Sequence, residues 1–286
     1  MILVCGATGT TGGAVLRQLR GDQQPVRATT RSAQSAERLR GDGVEAVVAD
    51  LADPDSLGPA LEGVDAVYVA HPATDQLAEH EGNLAQAAAA AGVRHIVKLS
   101  AIGAAQDSPM AFGRLHGQAE AAVRAAGVPF TMLRASGFMQ NTLAWAAQIP
   151  SGTIRGPVMN ARWAILDVRD IAAVAARVLE SGAEHAGQAY TLTGPEASSP
   201  HEQVEILAEV LERPLESIEV PVQAAQEQMR SAGLPAQTAE RLGELWRMYA
   251  EGRAEEISPD VERVTRRAPY TYRQFAEDHH TLWMED

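Results

Sequence analysis

Cysteine is almost missing from this sequence. Cys5 is the only one in 286 residues, so no internal disulfide can form, and the chain is expected in a reducing, cytoplasmic setting. No apolar run reaches the length of a membrane span. The N-terminus has no basic stretch before an apolar segment, so no secretory leader is expected, and a strand begins at residue 2. Positive charge is in deficit. A formal net charge of −13 repels nucleic acid and anionic membranes unless a basic patch is concentrated locally. Arg263, Arg266 and Arg267 lie close together but have no interleaved aromatics and read as a solvated turn. No Cys/His cluster has metal-ligand spacing, and His279 and His280 are neighbours that do not share a helix face, so no metal is expected. The Gly-x-Ser-x-Gly elbow of a hydrolase is missing too.

What is there suffices for a large core, since 45 % of the residues are hydrophobic. Short valine-rich runs at Ile2–Cys5, Val26–Thr30, Val44–Ala49, Ala66–Ala70, His95–Leu99 and Phe130–Leu133 read as strands covered on both faces. Helical patterns alternate with them near Gly12–Leu19, Gln34–Arg40, Asp55–Leu61, Asp75–Ala91 and Ala111–Ala126. This βαβα rhythm predicts an α/β fold of Rossmann type, a doubly wound parallel sheet with right-handed crossovers. The rhythm changes after residue 135. A mixed stretch over 136–168 precedes a helix at Val168–Glu180, a strand at Gln188–Thr193, helix-like segments through 201–252 and a last helix within 270–283. The expected organisation is a nucleotide-binding domain over 1–135 and a smaller, mainly helical substrate-binding region over 136–286, some elements of which return to the first sheet.

The chemistry starts in GATGTTGG (6–13), directly after the first strand. Gly6, Gly9 and Gly12 fall three apart. At this place glycine permits a tight turn, close approach of backbone to a pyrophosphate, and close packing of helix on sheet. The helix then points free N–H groups and its positive dipole end at the phosphates, with hydroxyls of Thr8, Thr10 and Thr11 nearby. At the end of the second strand, where NAD-binding proteins carry Asp or Glu, stand Thr30 and Arg31. A guanidinium binds a 2′-phosphate that a carboxylate would repel, so NADP(H) is expected. Asp50, followed by Leu51, ends the third strand and is placed to receive the adenine amino group. Ala70, His71 and Pro72 end the fourth, where a dinucleotide crosses the sheet edge. For Arg31, Asp50 and His71, an ordinary loop role stands as the alternative.

With GATGTTGG (6–13), VRATTR (26–31), AGVRHIVKLSAIGA (91–104), RLHGQAEAAVRAAGVPFTMLR (114–134), ILDVRDIAAVAARVL (165–179), YTLTGPE (190–196) and YTYRQFAEDH (270–279), the sequence resembles the NmrA-like branch of the atypical short-chain dehydrogenases over nearly its whole length. The resemblance implies a Rossmann domain, a small C-terminal substrate domain and a site in the cleft between them. It also implies one of two functions. The first is NADPH-dependent reduction of a quinone, enone or aromatic ketone. The second is a non-catalytic NADP(H)-binding redox sensor acting through a protein partner.

Ordinary short-chain dehydrogenases use a serine and, about a dozen residues on, Tyr-x-x-x-Lys. Here Ser100 ends the fifth strand, and Phe112-x-x-x-His116 stands in the second position. Phenylalanine donates no proton. His116, with an imidazole that titrates near neutrality when unperturbed, is the candidate acid, with Ser100 as a substrate hydrogen-bonder; a structural role is the alternative for each. Lys98 shares the parity of Ser100 but lies deeper in the strand and reads as structural. Ser136, Gly137 and Phe138, after the sixth strand, are expected at the nicotinamide end. Phe138, Met139, Trp145 and Trp163 are expected to line an aromatic-accepting substrate pocket, with core packing as the competing role.

Overall fold

The computed structural model describes residues 1–284. Two compact units emerge from one chain that passes between them several times. The first comprises Met1–Ala135, Val168–Leu192 and Asp260–Arg267; the second comprises Ser136–Asp167, Thr193–Pro259 and Ala268–Asp286.

The first unit follows the alternation of its sequence. Its elements are β1 (Ile2–Cys5), α1 (Thr10–Gly21), β2 (Val26–Thr30), α2 (Ala33–Gly41), β3 (Glu45–Val48), α3 (Leu57–Leu61), β4 (Ala66–Val69), α4 (Leu77–Ala90), β5 (His95–Ala101), α5 (Ala111–Ala125) and β6 (Phe130–Ala135). Its later segments add α6 (Val168–Glu180), α7 (Gly182–His185) and β8 (Ala189–Leu192), followed by α11 (Asp260–Thr265). Seven parallel strands lie in the order β3-β2-β1-β4-β5-β6-β8, the doubly wound Rossmann arrangement. Strand parity divides the side chains. Leu3, Cys5, Val67, Val69, Ile96 and Met132 point to one face, where they pack with Leu57, Leu84 and Val123 of α3, α4 and α5. On the other face α1 packs against α6. The C-terminal basic cluster is largely consumed here. Arg267 pairs with buried Asp170 at 2.7 Å, and Arg263 pairs with Asp260 at 2.9 Å while lying over the Tyr190 ring.

The second unit holds β7 (Thr153–Gly156), α8 (Pro200–Val210), β9 (Glu216–Glu219), α9 (Val222–Ser231), α10 (Ala236–Ala250) and α12 (Tyr272–Asp278), plus 3-10 turns over Met139–Ser151. Its core joins Met139, Ile149, Ile154, Ile165, Leu207, Phe275 and Trp283. Ser199 with Glu202 caps α8 and Thr271 with Gln274 caps α12, each a reciprocal capping box. The parallel β7–β9 pair interrupts the helical stretch expected over 201–252. β9 reads Glu-Ser-Ile-Glu, with no apolar alternation to announce it. No helix among the described residues is long and apolar enough to cross a membrane, and no group of acidic, His and Cys side chains among them could hold a metal.

A buried ion pair interrupts the apolar face of the first unit. Lys98 of β5 and Glu81 of α4 are both fully buried and meet at 2.7 Å. Burial pushes the Glu81 carboxyl up, and the Lys98 ammonium pulls it part of the way back. Removing one partner of such a pair strands the other charge and costs about 3–5 kcal/mol, whereas replacing both is often tolerated. Lys98→Met is therefore expected to lower stability by about that amount in urea unfolding. Lys98→Met combined with Glu81→Leu is expected to recover most of the loss.

Candidate functional site

The β1–α1 turn is built by backbone contacts that exclude side chains. Gly6 has φ of +80°, and a Cβ there would sit 2.3 Å from the Ala70 carbonyl oxygen. A Cβ on Gly12 would sit 2.2 Å from the carbonyl oxygen of Gly6. These two glycines are required by the fold itself. Gly9 is different. Its Cβ would meet only the Gly6 oxygen, at 3.3 Å, and it lies exposed as the N-cap of α1. It brings no side-chain acceptor, and the first turn of α1 contains no acid. The helix end therefore keeps its donors and its positive potential for a ligand that comes close to the backbone. Thr8 and Thr10 flank it exposed, while Thr11 is buried.

The carboxyl ends of β2, β3 and β4 bring three expected residues together. Arg31 is exposed and makes no hydrogen bond or ion pair among the described residues. Its charge and that of Asp50 both reach the His71 ring. One Asp50 oxygen accepts the Ala52 N–H at 3.0 Å, and Asn83 holds the Leu51 carbonyl at 3.0 Å. His71 Nδ1 donates to the Pro72 carbonyl at 3.1 Å, so its Nε2 accepts from His80 Nδ1 at 3.2 Å. Burial first, then the His80 and Arg31 charges, lower the His71 pKa against the Pro72 bond, so the ring stays neutral at neutral pH.

The expected catalytic pair is arranged differently from its reading in sequence. Ser100 points to the same side of β5 as Lys98 and is buried; its hydroxyl donates to Glu120 Oε1 at 2.7 Å. Arg134 grips the same carboxylate with two bonds, at 2.9 and 2.7 Å, and Arg124 adds one at 2.8 Å. Against the cost of burial, these bonds hold the Glu120 pKa below its ordinary value. Ser100 thus directs its single hydroxyl proton into this cluster. His116, one turn before Glu120 on α5, is partly buried with its Nδ1 3.4 Å from Lys98 Nζ. Burial and the Lys98 charge push its pKa down to about 3, Glu120 opposing them. It is therefore neutral at neutral pH and no ordinary imidazolium acid, which corrects the expectation from its unperturbed pKa.

In the second unit, Ser136 donates to the Ala164 carbonyl, and Phe138 bridges to Leu166. A Cβ on Gly137 would lie 3.3 Å from both Trp163 Nε1 and the Tyr249 hydroxyl. Trp163 and Tyr249 stack face to face, with centroids 4.3 Å apart and planes at 7°. Met139 is a core side chain, 1 % exposed, and both Trp145 and Trp163 pack against the same core, the role that competed with a pocket in the sequence. Tyr249 escapes a sequence reading because it sits within an ordinary amphipathic helix. Glu81 and Glu120 had a signal: each is a carboxylate set in the apolar stripe of its helix, between Leu77 and Leu84 and between Leu115 and Val123.

A parallel sheet in this order, a Gly6–Gly12 turn opening onto a bare helix end, and an unpaired arginine after β2 define a dinucleotide-binding Rossmann protein. The NmrA-like family matches residues 1–277, and the chain belongs to it. It is 35 % identical over 280 residues to an NAD(P)H azoreductase of Xenophilus azovorans, with 98 % of each chain covered. To a (4-alkanoyl-5-oxo-2,5-dihydrofuran-3-yl)methyl phosphate reductase of Streptomyces griseus it is 44 % identical over 217 residues, 75 % of each chain. The crystal structure of the NADPH-dependent quinone oxidoreductase QOR2 of Escherichia coli, complexed with NADPH, superposes with a TM-score of 0.85 at 27 % identity, covering 98 % of this chain and 100 % of that one.

Gly12→Ala is expected to lower the melting temperature sharply, because its Cβ collides with fixed backbone. Gly9→Ala should leave thermal stability and far-UV circular dichroism near the parent's while removing dinucleotide binding. Ser100→Ala should cost about 1.5–3 kcal/mol in urea unfolding, the value of a hydrogen bond to a buried charge.

Proposed function

We propose that this protein is an NADPH-dependent reductase of small conjugated acceptors, of the quinone, enone or aromatic-ketone type. The observation that carries the cofactor choice is Arg31, unpaired at the end of β2 where an acid would select NAD. Gly9, Thr10 and the first N–H groups of α1 would hold the pyrophosphate, Arg31 the 2′-phosphate and the free Asp50 oxygen the adenine amino group. His71, fixed by Pro72 and His80, would meet the ribose or the nicotinamide beyond it. The bound nicotinamide would supply hydride, and the chain has to orient the acceptor and exclude water.

The substrate class is supported by the relatives' names, which describe an azoreductase, a quinone oxidoreductase and a reductase of an oxo-dihydrofuran bearing an alkanoyl group. Whereas an aromatic ketone would give an alkoxide that must be protonated, hydride addition to a quinone, or to the β-carbon of an enone, generates an oxyanion stabilised by conjugation. A hydrogen-bond donor suffices there, and protonation can follow from water. The role of the missing tyrosine then passes to His116 as a neutral donor.

Arg31→Ala should weaken NADPH binding by roughly tenfold to a hundredfold, the equivalent of about 1.5–3 kcal/mol, and barely change NADH binding, read by calorimetric titration. Equal affinities of the unmodified protein for the two cofactors would refute the cofactor choice. NADPH oxidation with a panel of quinones, enones and aromatic ketones tests the activity. His116→Phe should lower kcat on any substrate found by about 10²–10³-fold. The sensor alternative rests on Phe112. Failure of the whole panel, with NADP⁺ and NADPH both bound and differing in their effect on a protein partner, would favour it.

A further inference from the structure

The chain has 24 Lys and Arg residues, and only one of them, Lys98, is lysine. Arginine serves everywhere else, yet the single lysine is fully buried, against a buried carboxylate. The contacts around it account for the exception. Lys98 Nζ faces Glu81 Oε2 at 2.7 Å, the Leu99 carbonyl at 3.0 Å and His116 Nδ1 at 3.4 Å. An ammonium offers three donors in a compact tetrahedral fan, which three acceptors on a strand and two helices can share. A planar guanidinium, longer and forked, does not fit that geometry.

The consequence falls on His116. An ammonium only donates, so the Nδ1 facing it has to be the acceptor. In a neutral imidazole the proton then sits on Nε2. Glu81 holds Lys98 in place: its Oε2 meets the ammonium, and its other oxygen has no hydrogen-bond partner among the described residues. The charged groups facing His116 are Lys98 from β5, Glu120 from its own helix and, behind Lys98, Glu81 from α4. Lys98 opposes a second proton on the ring, and the Glu120 carboxylate is already taken by Arg134, Arg124 and Ser100.

We propose that Lys98 is a positioning residue, locking His116 as the neutral Nε2–H tautomer so that the ring presents a hydrogen-bond donor to the oxygen of the bound acceptor. This rests on the reading of the protein as a reductase with His116 beside its substrate. The lock turns the position of the missing tyrosine into a permanent donor that does not depend on pH near neutrality. Glu81 acts one step further back, by holding Lys98.

Long-range ¹H–¹⁵N correlation spectra of the full-length protein, labelled at histidine, test the lock without any substrate. The His116 signals are identified by their loss in His116→Phe. The expected result is a protonated Nε2 and an unprotonated Nδ1 that do not titrate between about pH 5 and 8, where free imidazoles do. An Nδ1–H tautomer, or a midpoint near the ordinary value, would overturn the proposal. Lys98→Arg keeps the charge that compensates Glu81 and changes only the donor geometry. It should release the tautomer and bring the His116 titration back into that range. With a substrate from the panel it should also lower kcat about 10²-fold at unchanged NADPH affinity. An unaltered His116 spectrum in Lys98→Arg would count against the lock. Should that variant not fold, the parent spectrum still decides. A locked ring combined with full turnover in His116→Phe would overturn the donor role and the reading of His116 as substrate-facing, while leaving the tautomer assignment standing.

Discussion

Three lengths of backbone meet at Gly6. The carbonyl of Ala70 approaches from β4, and the first turn of α1 settles through Gly12 onto the carbonyl of Gly6 itself. There is no room for a methyl group at either glycine. This contact fixes how deep the end of α1 sits against the sheet and holds β1 beside β4 at their carboxyl ends. The exposed Gly9 and the His71 loop, which leaves the same end of β4, take their positions from it. A nucleotide site of this kind depends on packing, because its principal ligands are backbone N–H groups with no freedom to adjust.

The second organising element is a polar seam beneath β5 and β6, in the middle of an otherwise apolar face. Two carboxylates from neighbouring helices, Glu81 and Glu120, enter the interior, and each meets a cation from the sheet, Lys98 or Arg134. Apolar residues in the same places would pack as well or better, since desolvating ions consumes much of what their attraction returns. Directional contacts give what apolar packing does not. They fix the rotation of α4 and α5 about their axes and the height at which His116 stands over the sheet.

Much of this was legible in the sequence, and the boundary between legible and hidden follows the physics. The strands β1 and β4 were readable because both of their faces are buried, leaving short unbroken apolar runs, whereas β3, at the sheet edge, departs from the expected double cover with Glu45 and Val48 exposed. The limits of α6, Val168–Glu180, agreed at both ends, since its apolar stripe is long and regular. β9 was hidden because a four-residue strand paired only with β7 needs no hydrophobic alternation. Residue type singled out His116 and Ser100 as candidates, but their states depend on contacts distant in sequence. Ser100 is claimed by Glu120, twenty positions on, and His116 loses its basicity to burial and to Lys98. Met139 illustrates a third limit: a methionine after β6 suits a pocket or a core equally, and only the tertiary fold assigns it to the core.

The burial of Cys5 and Lys98 has a consequence for the molecule's chemical durability. Conjugated carbonyl compounds alkylate proteins by adding to thiolates and to free amines. The single thiol here is 1 % exposed, and burial pushes its pKa up to about 12, so essentially no thiolate forms. The single side-chain amine is enclosed and ion-paired, and the terminal amine of Met1 is held by Asp65 at 2.7 Å. What remains on the surface is weaker, such as the imidazoles of His201 and His280. The chain thus offers such electrophiles few strong nucleophiles, a property of where two side chains are kept.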